Sequence, residues 1–257
     1  MSGQVHYTIE NGVGAVVFDR PEARNAMTWA MYDALGQICE RIVREGNARV
    51  VTFRGAGGEA FVAGTDIEQF RGFETGQDGL DYEAVIDQRI GQIERLPVPT
   101  VAIVDGWAIG GGLAITAACD FRVATPSAKF GIPIARTLGN CLSIANVARV
   151  VAAVGVARAK RMLMLAEVLS AEEAKAAGFV AEIAEPDVLD ERVGAMVSKL
   201  LANAPVTMRV VKEGIRRVVG EGLPDGDDLV AECYGSRDFR IGVEAFLAKQ
   251  KPAWTGT

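Results

Sequence analysis

Residues 101–120 are the stretch that most constrains what this chain can fold into. They read VAIVDGWAIGGGLAITAACD: a short apolar run, a turn, three glycines and a run of small apolar residues. The first run predicts a buried strand and the last a buried helix. Gly110, Gly111 and Gly112 each cost about 0.5–1 kcal/mol relative to Ala inside an element, so we expect another group to approach this backbone closely. Free N–H groups at a helix N-terminus favour an oxygen that bears or gains negative charge.

A second strand-to-helix turn lies in residues 60–67, which read AFVAGTDI. Ala63 and Gly64 form the bend, and Asp66 is positioned to cap the next helix. Neither this turn nor the glycine stretch has the Gly-Lys-Ser/Thr or G-x-G-x-x-G pattern of a phosphate-binding loop. Two such turns can each present one backbone N–H to a single carbonyl oxygen. That arrangement is an oxyanion hole made without side chains.

Composition and charge exclude several classes of partner. The 257 residues are 49% apolar and 23% charged, which is ordinary for a globular protein, and the net charge of −6 disfavours a nucleic-acid partner or an anionic membrane surface. No apolar run is long enough for a membrane span, and the N-terminus lacks a secretory signal pattern. The four cysteines are far apart, so we expect reduced thiols in a cytoplasmic protein. His6 is the single histidine, which disfavours a Ser-His-Asp triad and a histidine-based metal site.

Four motifs in this order resemble the crotonase family, the enoyl-CoA hydratase/isomerase superfamily. They are RPEARNAM at 20–27, the turn at 60–67, the stretch from 106 to 120, and a C-terminal signature made of Ser236, Asp238, Gly242, Ala245, Phe246, Lys249, Pro252 and Trp254. The resemblance covers nearly the whole chain. It implies an α/β fold with a ββα spiral core carrying the acyl-CoA site over residues 1–189. A C-terminal helical trimerisation region over residues 190–257 would follow.

The resemblance also implies which residues form the site. The N–H groups of Ala63 and Gly111 would form the oxyanion hole. Coenzyme A, as part of the substrate and not as a permanently bound cofactor, would contact Ala23, Arg24, Ala63, Asp66, Ile67, Gly111, Phe246 and Lys249. No metal is implied. The assembly would be a homotrimer or a dimer of trimers, with apolar faces buried between subunits at Leu200, Val211, Ile215, Val218 and Leu247.

The acid–base groups of the family are missing at the matching positions. Family hydratases use two glutamates that flank one water. The first would stand three residues after Gly111, where this chain has Ala114, and the second after Pro133, where it has Ile134 or, with a one-residue slip, Ala135. None of these side chains transfers a proton, and a positioned acid or base contributes roughly 10²–10⁴-fold. We therefore do not expect hydration by the family mechanism.

Cys141 is a second candidate for chemistry. It follows a Gly-Asn pair at about the place where the family's dehalogenase branch has a carboxylate nucleophile. A thiolate there could attack a thioester or an acyl β-carbon if a helix N-terminus or Arg136 lowered its pKa. The alternative, which we favour, is that Cys141 is a small buried residue and that Arg136 pairs with a carboxylate.

Three functions remain open from the sequence. The first is an acyl-CoA thioester enzyme of the enoyl-CoA hydratase/isomerase type that stabilises a thioester enolate. The second is another reaction of the same family, such as isomerisation, decarboxylation or thioester hydrolysis. The third is a binding protein that kept the acyl-CoA cleft and lost turnover.

Local patterns predict most of the elements. Asn11-Gly12 predicts a hairpin, Thr28 and Gly46 bound a first helix, and Ser170 opens a capping box. Residues 70–79 are polar and glycine-rich, and we expect a mobile loop there beside the acyl pocket. Further helices are predicted at 80–96, 140–151, 157–165, 187–201, 205–219 and 228–249, and a last strand at 179–183.

Overall fold

The strands alternate between two sheets. The structure is a computed structural model that describes residues 3–220, 222–223 and 225–257. Its strands are β1 (Gln4–Glu10), β2 (Val13–Asp19), β3 (Val50–Gly55), β4 (Ala60–Ala63), β5 (Thr100–Val104), β6 (Trp107–Ile109), β7 (Phe121–Ala124), β8 (Lys129–Gly131), β9 (Val168–Ser170) and β10 (Glu182–Ile183). The larger sheet has the order β1-β2-β3-β5-β7-β10, and the smaller has the order β4-β6-β8-β9.

Helices follow the strand pairs. They are α1 (Trp29–Glu45), α2 (Gly76–Glu94), α3 (Gly111–Ala118), α4 (Ile134–Thr137), α5 (Ile144–Val154), α6 (Val156–Met164), α7 (Ala171–Ala176), α8 (Leu189–Ala202), α9 (Pro205–Gly220), α10 (Asp227–Gly235) and α11 (Arg237–Leu247). The pairs β3–β4, β5–β6 and β7–β8 each give one strand to each sheet before a helix follows. This repeat is the predicted ββα spiral, and the α/β fold class is confirmed. None of the helices in the described ranges is both long and apolar enough to cross a bilayer.

The pairing of β4 with β6 positions the two predicted turns. These strands are parallel, and Ala63 pairs with Ile109. Parallel strands end at the same edge of a sheet, so the chain leaves both strands side by side. Thr65 and Gly111 each lie two residues after these paired positions. The register of β4 against β6 therefore brings the backbones of Thr65 and Gly111 together.

The glycines of this stretch pack closely against other parts of the protein itself. Gly110 has φ of +54°, a conformation that favours glycine. A Cβ on Gly111 would overlap the Tyr32 hydroxyl, and one on Gly112 would overlap the carbonyl oxygen of Val62. The predicted close approach is therefore present. Much of it is internal packing of α3 against α1 and β4.

Several local predictions are confirmed and others are corrected. The Thr28 side chain accepts a hydrogen bond from the Met31 N–H at 3.2 Å, Gly46 ends α1 in a left-handed conformation, and Ser170 forms its capping box. Residues 70–79 are not one loop, because Phe70 is buried and α2 already begins at Gly76. The helix predicted at 140–151 begins at Ile144, since Ser143 is its N-cap. The predicted strand at 179–183 is reduced to β10.

The predicted C-terminal helix 228–249 is two helices. Ser236 interrupts it, and its hydroxyl accepts a hydrogen bond from the Phe239 N–H at 3.0 Å to cap α11. The break turns the chain, so that α10 packs on α2 and α11 packs on the 3-10 turn Ile67–Phe70. Tyr234 and Phe239 consequently join the main hydrophobic core of their own chain.

Two of the five predicted inter-subunit residues are covered within the chain. Leu200 is buried beneath α8 against the larger sheet, and Leu247 is partly buried against the main core. Because Leu200 is buried in its own chain, the expectation that it faces a partner is wrong; for Leu247, which keeps part of its surface exposed, it stays a prediction. Val211, Ile215 and Val218 on α9 are exposed, and α9 contributes no buried residue.

Gly112→Ala should destabilise the protein by about 3 kcal/mol or more, because the new Cβ meets the Val62 backbone, which cannot move without disturbing β4. Gly194→Ala is the matched control, since nothing lies near a Cβ at this exposed position of α8. That variant should gain about 0.5–1 kcal/mol. Urea unfolding measures both, and equal stabilities for the two variants would contradict the packing described here.

Candidate active site

Two backbone N–H groups are free at the edge where β4 and β6 end. Gly111 is the first residue of α3, and Thr65 lies between β4 and the following 3-10 turn. Within the described ranges, neither N–H donates to a backbone or side-chain acceptor. The N–H of Ala63, in contrast, donates to the carbonyl oxygen of Arg24 at 3.0 Å. The prediction of Ala63 as a donor is therefore corrected, because that N–H already serves the fold.

A chain of hydroxyl groups fixes the Thr65 turn. The Thr65 Oγ1 lies 2.9 Å from the Tyr32 hydroxyl and 2.9 Å from the Tyr82 hydroxyl. All three residues are buried. Burial raises the pKa of Tyr32 to about 12 and the pKa of Tyr82 well above its usual value, so both phenols are neutral at pH 7. The Tyr32 hydroxyl also packs against Gly111, so α1 contacts both turns.

The first predicted loop is tied to the same region. The Asn25 Nδ2 donates to the carbonyl oxygens of Ala56 at 2.9 Å and Ala60 at 2.8 Å, which holds the loop against β4. Arg20 pairs with Asp66 at 2.8 Å. Asp66 also accepts from the Glu68 N–H at 3.2 Å, which confirms its capping role.

The predicted coenzyme A residues of this loop and turn lie together. Ala23 ends a 3-10 turn, and Arg24 follows with φ of +51° and an exposed side chain. The Arg24 carbonyl oxygen accepts a hydrogen bond from the Ala63 N–H, and the Met27 carbonyl oxygen accepts one from the Asp66 N–H. These two bonds join the loop to the turn. Ile67 is partly buried against the core. These residues therefore form one continuous surface beside the free N–H groups.

Phe246 and Lys249 lie on a different part of the chain. Phe246 is 47% exposed near the end of α11, and Lys249 follows that helix with φ of +55°. The Phe246 side chain therefore does not pack in the core. A groove of about 550 Å³ separates α11 from the segment 70–73; it is lined by Phe70, Arg71, Phe73, Phe239, Arg240, Val243, Glu244, Leu247 and Ala248.

The positions at which the sequence comparison predicted the family glutamates carry no acid. Ala114 is buried on the first turns of α3, Ile134 begins α4, and Ala135 is exposed. Asp120, which ends the glycine stretch, is structural: it accepts hydrogen bonds from the Thr100 N–H at 2.7 Å and from the Lys212 Nζ at 2.8 Å. A carboxyl group for proton transfer must therefore come from another element.

Glu83 is a buried carboxyl group that the sequence patterns did not reveal. It is 4% exposed on α2, its Oε2 accepts from the Ser143 N–H at 2.9 Å, and its Oε1 accepts from the Tyr234 hydroxyl at 2.9 Å. Burial raises its pKa to about 7, although both hydrogen bonds oppose the shift. The sequence does contain a signal for this burial. Glu83 is a carboxylate on a helix face whose other members are small, aromatic or aliphatic: Gly79, Tyr82, Ile86 and Ile90.

The nearest cation serves a different acid. Arg149 of α5 donates to Asp87 at 3.0 Å, and the Ser143 hydroxyl donates to the same carboxylate at 2.9 Å. No cation of the described chain forms an ion pair with Glu83. Glu83 therefore lies one helical turn from Asp87, which has a cationic partner, but has no cationic partner itself.

Cys141 does not have the surroundings of a nucleophile. Its Sγ lies 3.8 Å from the Leu229 carbonyl oxygen, while the Cys233 Sγ lies 3.2 Å from the Gly139 carbonyl oxygen. A hydrogen bond with Cys233 and burial raise the pKa of the Cys141 thiol well above its usual range. Arg136 is exposed on α4, and its side chain joins none of the ion pairs among the described residues. The structure thus supports neither the thiolate nor the predicted Arg136–carboxylate pair.

Comparisons with known proteins agree with this fold. The profile of the family described as Enoyl-CoA hydratase/isomerase matches residues 8–257. The enoyl-CoA isomerase/hydratase fer4 of Mycosarcoma maydis is 31% identical over 258 residues, covering 95% of this chain and 93% of that protein. The short-chain-enoyl-CoA hydratase of Clostridium acetobutylicum is 29% identical over 246 residues, covering 94% of each.

A solved structure extends the comparison. Methylmalonyl-CoA decarboxylase complexed with 2S-carboxypropyl-CoA is 26% identical with a TM-score of 0.88, covering 98% of both chains. A spiral of ββα units with two free amides at neighbouring strand ends defines the class. The chain belongs to the enoyl-CoA hydratase/isomerase family.

Cys141→Ser should keep kcat/KM within about threefold of the wild type, because a protonated thiol in a packed loop takes no part in bond making. Cys233→Ser is the matched control, since it removes the partner of the same sulfur contact. Steady-state kinetics on the substrate found for the wild type measures both. A loss of roughly 10³-fold confined to Cys141→Ser would instead make it the nucleophile.

Proposed function

We propose that this protein is an enzyme that acts on acyl-CoA thioesters, holding the thioester carbonyl oxygen between the N–H groups of Thr65 and Gly111. The observation that carries the proposal is the register of β4 with β6. It leaves two unused donors at equivalent positions of adjacent turns. Enolate formation moves negative charge onto that oxygen, and each pre-placed donor contributes about 2.7–4 kcal/mol to the transition state.

Two further features favour charge on an oxygen at this point. Gly111 begins α3, so the partial positive charge of the helix N-terminus adds to its N–H. The hydroxyl chain through Tyr32, Thr65 and Tyr82 holds the second donor in place before substrate binds. Fixed donors require little reorganisation during the reaction, which is how backbone amides lower a barrier.

The relatives support a coenzyme A thioester as the substrate class. Their names describe hydratases and isomerases of enoyl-CoA and a decarboxylase bound to a CoA thioester. In this chain, coenzyme A enters as part of the substrate. The surface formed by Ala23, Arg24, Asp66 and Ile67 receives it next to the donors. Phe246 and Lys249 receive its adenine end, either within the chain or across a subunit boundary.

The reaction is one that needs a single proton-transferring group. Hydration by two glutamates flanking one water has no support, because Ala114 and Ile134 occupy the matching positions. Isomerisation and proton exchange next to the carbonyl need an oxyanion hole and one base, while decarboxylation needs the oxyanion hole and a proton donor. The alternative is a protein that binds acyl-CoA without turnover, and detectable exchange separates the two.

Incubation with CoA thioesters in D₂O should exchange the proton next to the carbonyl, as read by mass spectrometry. Thr65→Pro deletes the N–H and should slow exchange by about 10²–10³-fold. Thr65→Ala keeps the N–H and should lose less, which separates the amide from the hydroxyl. Equal rates in these two variants would remove Thr65 from the oxyanion hole, and rapid hydration of crotonyl-CoA would contradict the interpretation of Ala114 and Ile134.

The assembly that we propose is a homotrimer or a dimer of trimers. The outward face of α9 supports it, because this helix exposes Val206, Val210, Val211, Ile215 and Val218. An apolar stripe of this extent on a soluble protein indicates a protein–protein contact. The oligomerisation role predicted for residues 190–257 is thus assigned chiefly to α9, while α10 and α11 cover their own subunit.

Ile215→Glu should convert the oligomer to monomers, because a buried carboxylate without a partner opposes association. Val43→Glu is the matched control, since Val43 is exposed to a similar extent on α1. Light scattering coupled to size-exclusion chromatography reports the mass of each. An unchanged mass for Ile215→Glu, or a wild type that is already monomeric, would contradict the assignment of α9.

A further inference from the structure

Glu83 stands where three helices of the site meet. Its helix α2 packs on α3, which begins at Gly111, and α3 in turn packs on α5. The Glu83 carboxylate accepts a hydrogen bond from the N–H of Ser143, the N-cap of α5. The carboxylate therefore lies between α2, the start of α5 and Tyr234 of α10.

The adjacent residue of α2 connects this position to the other donor. Tyr82 contacts the Thr65 hydroxyl, and Tyr32 lies on the opposite side of that hydroxyl. The Tyr82 ring lies 6.0 Å, between centroids, from the ring of Tyr234, and the Tyr234 hydroxyl donates to Glu83 at 2.9 Å. These contacts connect Glu83 to the turn that carries the Thr65 amide.

We propose that Glu83 is the acid and base of this enzyme, transferring the proton at the carbon next to the thioester carbonyl. The inference rests on the proposed function. It assigns to α2 the task that Ala114 on α3 and Ile134 on α4 cannot perform.

The proton and electron pairs balance without any further reactant. The ionised Glu83 takes the proton from the carbon next to the carbonyl, and the C–H electron pair forms a C–C double bond. The carbonyl π electrons move to the oxygen, where Thr65 and Gly111 donate to the enolate. Neutral Glu83 then returns the proton to the same carbon or to the γ-carbon of an unsaturated acyl chain, which regenerates the carboxylate.

The hydrogen bonds of Glu83 leave it able to accept a proton. Each carboxylate oxygen has two lone pairs and receives one hydrogen bond, from Ser143 or Tyr234. A pKa of about 7 means that both forms are populated at neutral pH, as an acid–base group requires. The titratable and charged groups around Glu83 come from every element packed against it. Tyr82 and Asp87 lie on α2, Tyr32 on α1, Cys141 in the loop before α5, and Cys233 and Tyr234 on α10. Arg149 of α5 is bound to Asp87.

Glu83→Gln should slow proton exchange by about 10²–10⁴-fold while the dissociation constant of the acyl-CoA changes by less than about threefold. Asp81→Asn, an exposed acid on the same helix, is the matched control and should exchange like the wild type.

The wild-type kcat/KM should rise through an inflection near pH 7, because the base must be ionised, and Glu83→Gln should lose that inflection. Tyr234→Phe removes a hydrogen bond to the carboxylate and should move the inflection to higher pH.

The failures of the two proposals are distinguishable. Exchange that Thr65→Pro abolishes and Glu83→Gln leaves intact overturns the role of Glu83 and keeps the proposed function. A wild type that exchanges no CoA thioester overturns both. If Glu83→Gln does not fold, the wild-type profile decides, and a kcat/KM without an inflection between about pH 6 and 8 overturns the proposal.

Unfolding measurements give a test that does not depend on turnover. A raised pKa means that neutral Glu83 stabilises the fold below its ordinary pKa of 4.5, and that this stabilisation is lost as the pH rises through about 7. The free energy of unfolding should therefore fall between pH 5 and 8 more steeply in the wild type than in Glu83→Gln. Parallel slopes would show an ordinary, solvated carboxylate and would overturn the proposal.

Discussion

The parallel pairing of β4 with β6 is the constraint on which the site depends. The hydrogen bonds of this ladder fix Ala63 opposite Ile109, and Thr65 and Gly111 each follow two residues later. A slip of one residue would rotate the N–H groups of one turn away from the other. The glycines serve the same end, since they allow α3 to approach β4 and α1 closely enough to keep both amides at one point. The ladder sets the register, and the hydroxyl contacts of Tyr32, Thr65 and Tyr82 then hold the first of the two turns.

Proton transfer has different requirements, and it accounts for the burial around α2. A backbone amide donates its hydrogen bond whatever the pH, but a carboxyl group can exchange protons near neutral pH only when its environment raises its pKa. Here α10 supplies that environment by covering α2, while Tyr234 and Ser143 satisfy the carboxylate oxygens. Asp87, one turn away, pairs with Arg149. The two acids thus differ in their partners: Asp87 has a cation, whereas Glu83 has only neutral hydrogen-bond donors.

Much of the fold could be predicted from local patterns, and the site only partly. Thr28, Asp66 and Ser170 cap helices through atoms two or three residues away, so their roles are visible in the sequence. The sequence does not show whether Ala63 or Thr65 supplies the free N–H group, because a backbone donor has no side-chain signature and its position depends on strand register. Glu83 was missed for a related reason. Its partners Ser143 and Tyr234 are 60 and 151 residues away in sequence, and its place beside them follows from tertiary packing alone.

The break at Ser236 has a consequence for the surroundings of Glu83. Because the chain turns there, α10 packs on α2 while α11 packs on the turn Ile67–Phe70. A straight helix through this point could not place Tyr234 on Glu83 and Phe239 beside Phe70 at the same time. The cover over a carboxyl group on α2 thus depends on one capping hydroxyl that lies far away in the sequence.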